Sequence, residues 1–189
     1  MGTIQSKRFF MRLKFSAVIL VFVFVCFASQ PLSGNEIVWH SVGVRAGVND
    51  NRGDEDFRQY EGFTTWRLPW SWQGKSGWSL STYLEANAGV LRGAGESAFV
   101  GSIGPGIYFA GFEDKLVIAM GINPTIISKH EFGNENLGGP IEFTSHIGAN
   151  YYFTRHFNIG YRLQHMSNGV LYEHNPGLNM HMIEVGYRF

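Results

Sequence analysis

Phe157, Ile159, Tyr161 and Leu163 are apolar or aromatic, and Asn158, Gly160 and Arg162 between them are small or polar. Successive side chains of a strand point to opposite faces, so a period of two predicts one apolar and one polar face. The last residues repeat the pattern, with Ile183, Val185, Tyr187 and Phe189 alternating with Met182, Glu184, Gly186 and Arg188. Ile141, Phe143, Ile147 and Tyr151 oppose Glu142, Thr144, His146 and Asn150, and Trp78, Leu80 and Leu84 oppose Ser79, Ser81, Glu85 and Asn87. In all, eight segments read as strands: 36–48, 56–69, 77–91, 97–110, 114–127, 139–153, 156–168 and 178–189. Pro124 in the fifth and Pro105 in the fourth each remove a ladder donor and predict a bulge or a strand end.

The alternation leaves open which face is inside. A soluble sandwich buries the apolar face, whereas a membrane barrel turns it to lipid and keeps the polar face in the lumen. Three features favour the barrel. The segments match or exceed the ~9–11 residues a tilted strand needs to cross a bilayer. The polar faces carry Arg45, Glu61, Arg67, Glu85, Glu142, Arg162 and Glu184, mixed signs that suit a lumen closed by ion pairs. Aromatics such as Trp66, Trp70, Trp72, Trp78, Tyr151, Tyr152 and Phe153 gather at segment ends, as interfacial girdles require. The predicted fold is therefore all-β, an eight-stranded antiparallel transmembrane β-barrel occupying residues 35–189.

Residues 1–28 read as a secretory signal peptide, with the cleavage point placed between Ala28 and Gly34. Lys7, Arg8, Arg12 and Lys14 precede the apolar run FSAVILVFVFVCFA, which is shorter than the ~20 residues of a spanning helix. Cys26 lies in this run and is the sole cysteine, so no disulfide holds the exported domain. Formal net charge is zero and no basic block follows the signal, which leaves nucleic-acid binding without an electrostatic footprint.

With both chain ends periplasmic, the seventh segment ends outside near Asn168 and the eighth starts outside near Leu178. Parity places His165 and Ser167 on the face of Phe157 to Leu163, toward lipid, and Asn179 and His181 on the face of Ile183 to Phe189. A symmetric hairpin sets Ser167 opposite Asn179 and His165 opposite His181. A histidine two residues from a serine on one face can span the ~6.5 Å between them and take the hydroxyl proton. The same residues also suit the polar edge of a barrel wall, where polar groups are cheap near the interface.

His165-Met166-Ser167-Asn168-Gly169, Asn175-Pro176-Gly177-Leu178 and the terminal aromatic strand resemble the PagL-type lipid A 3-O-deacylase family. The close match covers roughly the last 30 residues, and the signal-bearing eight-strand layout matches the rest more loosely. The resemblance implies an outer-membrane barrel that hydrolyses the 3-position acyl ester of lipid A, with its site facing the outer leaflet. It implies Ser167 as nucleophile and His165 as general base, with lipopolysaccharide as the substrate-bearing partner and no metal or other cofactor. Asn168, the Gly169 N–H and Asn175 are candidate oxyanion or substrate donors. The ending Tyr187-Arg188-Phe189 resembles the signal read by the outer-membrane barrel-assembly machinery.

One position departs from the family pattern, which has a glutamate at the start of the last strand where this chain has Asn179. An asparagine can orient a histidine but brings no charge, and losing a triad acid costs ~10⁴ in rate where it leaves the wrong tautomer. Three readings follow: Asn179 orients His165 in a slower or differently tuned enzyme, Glu173 folds back from the loop to supply the charge, or the barrel is structural or adhesive and has lost activity. The acidic stretch Asp50–Asp56 (DNRGDED) reads as a solvated outer loop, since its spacing misses the calcium-loop pattern. His40, His130, His146, His156 and His174 show no ligand spacing.

Overall fold

The structure is a computed structural model and describes residues 36–50 and 55–189. The signal segment, Cys26 and the centre of the acidic stretch lie outside the described residues. Eight long strands form the wall: β1 (Val38–Asn49), β2 (Arg58–Gln73), β3 (Ser79–Gly93), β4 (Glu96–Gly111), β5 (Leu116–Ile127), β8 (Ile141–Tyr152), β9 (Phe157–Ser167) and β10 (Leu178–Arg188). Two short strands, β6 (Glu131–Phe132) and β7 (Glu135–Asn136), make a hairpin between β5 and β8. Every long strand pairs antiparallel with its neighbours, and β1 closes the barrel on β10. Closure leaves no sheet edge to be satisfied, which is what the hydrocarbon region demands.

The apolar face points outward. Val44, Ile147, Ile159 and Ile183 are each 50–64% exposed, and Arg45, Glu85 and Arg162 are each 3% exposed inside. Such an inversion is stable only when lipid covers the outer face, so the barrel spans a membrane. In the lumen, Arg45 reaches Glu61 at 2.9 Å, Glu85 at 3.0 Å and Glu184 at 3.1 Å, and Arg162 reaches Glu85 at 2.9 Å. Asn87 and Gln59 complete the network by hydrogen bonds to Arg45 and Glu61.

The outer third of the lumen differs from the polar interior read from sequence. Phe57, Leu91, Val100, Ile127, Met166, Leu178, Met180 and Met182 form an apolar plug there. Phe132 of β6, fully buried, meets Phe57 edge-on with ring centroids 5.3 Å apart. The β6–β7 hairpin therefore covers the outer mouth, and the barrel wall near the rim rests on packed side chains.

Pro105 and Pro124 end neither strand and the register is the same on either side of them, so the expected bulge or strand end does not occur and only the pairing is interrupted. The β4–β5 ladder lapses between the pairs Ser102↔Thr125 and Gly106↔Gly121, the interval that holds Pro105 and Pro124, while both strands continue. β2 runs past its predicted end at 69 to Gln73, through an irregularity between Arg67 and Ser71 around Pro69. At the other end of the barrel, Trp39 meets Phe189 at a tilt with centroids 4.3 Å apart, and Trp78 stacks on Phe109 at 4.5 Å. Tyr152 leaves the predicted girdle: it is buried in the lumen, its ring 4.0 Å from the Arg188 guanidinium.

Candidate active site

The register across the outer rim differs from a symmetric hairpin. Asn179 pairs with His165, and His181 pairs with Leu163. The sequence reading is off by two residues, which leaves every side chain on its face but changes its partner. His165 Nδ1 donates to Asn179 Oδ1 at 2.7 Å. Asn179 Nδ2 in turn donates to Asp50 Oδ2 at 3.1 Å. The Asp50 N–H also donates to the Asn179 carbonyl at 3.3 Å, which continues the β1–β10 ladder one step past Asn49↔Met180. On the far side, Ser145 of β8 pairs with His165. Ser145, His165, Asn179 and Asp50 thus form a transverse row across four adjacent chain segments, all turned outward.

Ser167 stands beside this row at the end of β9, half-buried and paired with Phe143. Two residues from His165 on the same face, it lies roughly 6.5 Å along the strand, within reach of an imidazole after a small rotation. Among the described residues no hydrogen bond joins them. Between and behind them, Met166 and Met180 point inward and are 2% and 1% exposed in the plug. The plug packs against this part of the wall from the lumen side, which holds the strands under His165 and Ser167 in place.

The loop after Ser167 folds back over the rim. Gly169 and Val170 both take left-handed backbone angles, with φ of 60° and 67°, which reverses the chain. Asn168, fully buried, clamps the loop: its Nδ2 donates to the carbonyls of His174 at 2.6 Å and Leu137 at 3.4 Å. Its Oδ1 accepts from the Val170 N–H, and its own N–H donates to Asn175 Oδ1. Asn168 is therefore committed to loop structure, while the Asn175 amide nitrogen and the Gly169 N–H are not among these bonds. Gly177, at φ +73°, lies against the imidazole, and a Cβ built there would sit 2.8 Å from His165 Cε1. Glu173, the acid considered from sequence, is exposed in the loop, and the acid that reaches Asn179 is Asp50. Sequence reading left Asp50 in a solvated loop, although its parity with Val44 and Val48 on β1 already turned it outward.

One lower step on the same face is occupied by a hydrogen bond between the Tyr161 hydroxyl and His181 Nδ1. His181 therefore belongs to a separate pair and not to the row that holds His165.

This chain is similar to known proteins over much of its length. A family model described as lipid A 3-O-deacylase (PagL) matches residues 58–188. The lipid A deacylase PagL of Pseudomonas aeruginosa is 33% identical over 125 residues, covering 61% of this chain and 72% of that protein. The lipid A deacylase PagL of Bordetella bronchiseptica is 33% identical over 76 residues, 40% of this chain and 43% of that protein. In fold, the chain is similar to the crystal structure of the outer membrane enzyme PagL, with a TM-score of 0.68, 24% identity, and coverage of 77% of this chain and 97% of that one. The matched stretch contains seven of the eight wall strands and the whole of the β9–β10 rim, and on that extent the chain belongs to the lipid A 3-O-deacylase (PagL) family.

Proposed function

We propose that this barrel resides in the outer membrane and hydrolyses the ester holding the 3-position acyl chain of lipid A, with Ser167 as nucleophile and His165 as general base. The observation that carries the proposal is the outward-facing row in which Asn179 holds His165 Nδ1, with Ser167 on the same face at the outer rim. An ester in the outer leaflet meets this wall laterally and needs no entry into the plugged lumen. With Nδ1–H bound to Asn179, Nε2 keeps its lone pair and takes the Ser167 proton as Oγ attacks the ester carbonyl. The tetrahedral oxyanion needs fixed donors, and the Gly169 N–H and Asn175 Nδ2 are the groups of this loop suited to it. Protonated His165 then gives its proton to the sugar 3-oxygen as its bond to the acyl carbon breaks, which frees the 3-hydroxyl and leaves the acyl group on Ser167. A water, deprotonated by His165, releases the fatty acid and restores the serine.

An alkyl fluorophosphonate in detergent or in membranes tests the nucleophile. Labelling is expected on the peptide containing Ser167, and its loss in His165→Ala. Labelling elsewhere, or unchanged labelling without His165, would remove Ser167 from the role.

Gly177→Ala provides a test of His165 placement. The added Cβ at 2.8 Å from Cε1, on a backbone at φ +73°, must push the imidazole aside. Misplacement by ~1 Å can cost about 10²-fold in rate. The turnover number is expected to fall by that order while the fold, read by heat-dependent gel mobility, stays intact. Full activity in Gly177→Ala would show that the imidazole does not need this position.

A further inference from the structure

We infer that Asp50 is a positioning residue that restores, through Asn179, the negative charge the family pattern places beside the histidine. The inference rests on the deacylase reading. It concerns a residue outside the stretch matched by the family, which begins at Arg58. Three observations support it. Asp50 Oδ2 accepts from Asn179 Nδ2 at 3.1 Å, and Asn179 Oδ1 accepts from His165 Nδ1 at 2.7 Å. Asp50 is also fixed by backbone register, its N–H on the Asn179 carbonyl at 3.3 Å. Finally, Asn179 and His165 are register partners in the barrel wall, and Asp50 directly follows Asn49, the last residue of β1 paired with β10.

The chemistry follows from what each group can donate. An ionised carboxylate only accepts hydrogen bonds. Asn179 must therefore turn its NH2 toward Asp50 and its carbonyl oxygen toward His165. That orientation requires the proton on Nδ1 and leaves Nε2 as the base facing Ser167. With the amide flipped, Nδ2 would face Nδ1 and select the other tautomer, in which Nε2 carries the proton and cannot accept one from serine. The carboxylate also polarises the amide, which makes Oδ1 a stronger acceptor as His165 becomes cationic. Asp50 touches neither substrate nor the reacting atoms, and acts entirely through Asn179.

The experiment compares wild type, Asp50→Asn, Asp50→Ala and Asp50→Glu in lipid A hydrolysis, each alone and in the Asn179→Glu background. Asp50→Ala is expected to lower kcat about 10- to 100-fold with KM unchanged within about twofold, since a tautomer defect acts on the transition state and not on binding. Asp50→Asn keeps size but loses charge and is expected to fall between Asp50→Ala and wild type. Asp50→Glu is expected to recover most of the activity. In the Asn179→Glu background the sign reverses: Asp50→Ala is expected to raise kcat, because two adjacent carboxylates no longer compete beside one imidazole. Nitrogen NMR of the His165 ring adds a readout that needs no turnover, with the Nδ1–H tautomer dominant in wild type and mixed with Nε2–H in Asp50→Ala. An Asp50→Ala protein with wild-type kcat and tautomer, beside an inactive Ser167→Ala, would overturn the role of Asp50 and leave the deacylase reading standing. A wild-type protein with no hydrolysis would overturn both.

Discussion

Ser167→Ala is expected to lower lipid A ester hydrolysis by about 10⁴-fold or more, and His165→Ala by a similar factor, because either change removes a member of a unit that works only when complete. The double variant is expected to fall no further than the worse single one. Additive losses would mean that the two residues act independently, which contradicts proton transfer from Ser167 to His165. The KM should change little in any of them, since the proposed roles of both groups act on the transition state and not on binding. Neither variant should affect folding. His165 is exposed on the outer face, Ser167 is half-buried at the end of its strand, and the rim beneath them is built by Met166, Met180 and the rest of the plug.

The second large effect lies in the lumen. Arg45 is the hub of a buried network in which two guanidinium groups, Arg45 and Arg162, face Glu61, Glu85 and Glu184. Arg45→Ala leaves Glu61 and Glu184 without a cation, while Glu85 keeps Arg162. Breaking a buried pair from one side costs about 3–5 kcal/mol, because the remaining charge stays desolvated. Urea unfolding of the barrel in lipid vesicles is expected to show that loss as a lower midpoint. Adding Glu61→Gln and Glu184→Gln to Arg45→Met should recover much of it, since the orphaned charges are then gone. An Arg45→Ala barrel as stable as wild type would show that water, and not the ion network, fills this part of the lumen. The change is far from the rim, so hydrolysis by the fraction that stays folded should persist.

The strands were legible because a wall with one apolar and one polar face imposes a period of two over long segments, and strand length, mixed inward charges and aromatic ends then favoured lipid on the apolar side. Faces follow from that period, so His165, Ser167 and Asn179 could be put on the lipid side before any coordinates. Partners could not. A shift of two residues preserves every face, so alternation cannot see it, and the exact pairing of β9 with β10 is set by how residues 168–177 close the loop. Asp50 was hidden for a second reason. Its contact with Asn179 spans 129 residues and exists only because the first strand closes on the last. The apolar plug was hidden by its composition, since Met166, Met180 and Met182 occupy inward positions that the polar residues below them made look like lumen lining. Phe132 carries no alternation at all, in a two-residue strand.

These points also change how Asn179 reads. In sequence it is the one departure from a triad and argues for a slow or inactive site. On the proposal that Asp50 acts through Asn179, the row holds the same parts as a triad with an amide inserted, and the absence of an acid at position 179 does not by itself argue for a non-catalytic barrel.

The measurement that tests this account most directly is mass spectrometry of lipid A from cells with fully acylated lipid A, expressing the wild-type barrel beside Ser167→Ala at matched levels in the outer membrane. The account expects the wild type to remove the mass of one 3-position acyl chain, with the free fatty acid recovered, and Ser167→Ala to leave lipid A intact. Unchanged lipid A with the wild type, or the same acyl loss with Ser167→Ala, would contradict it.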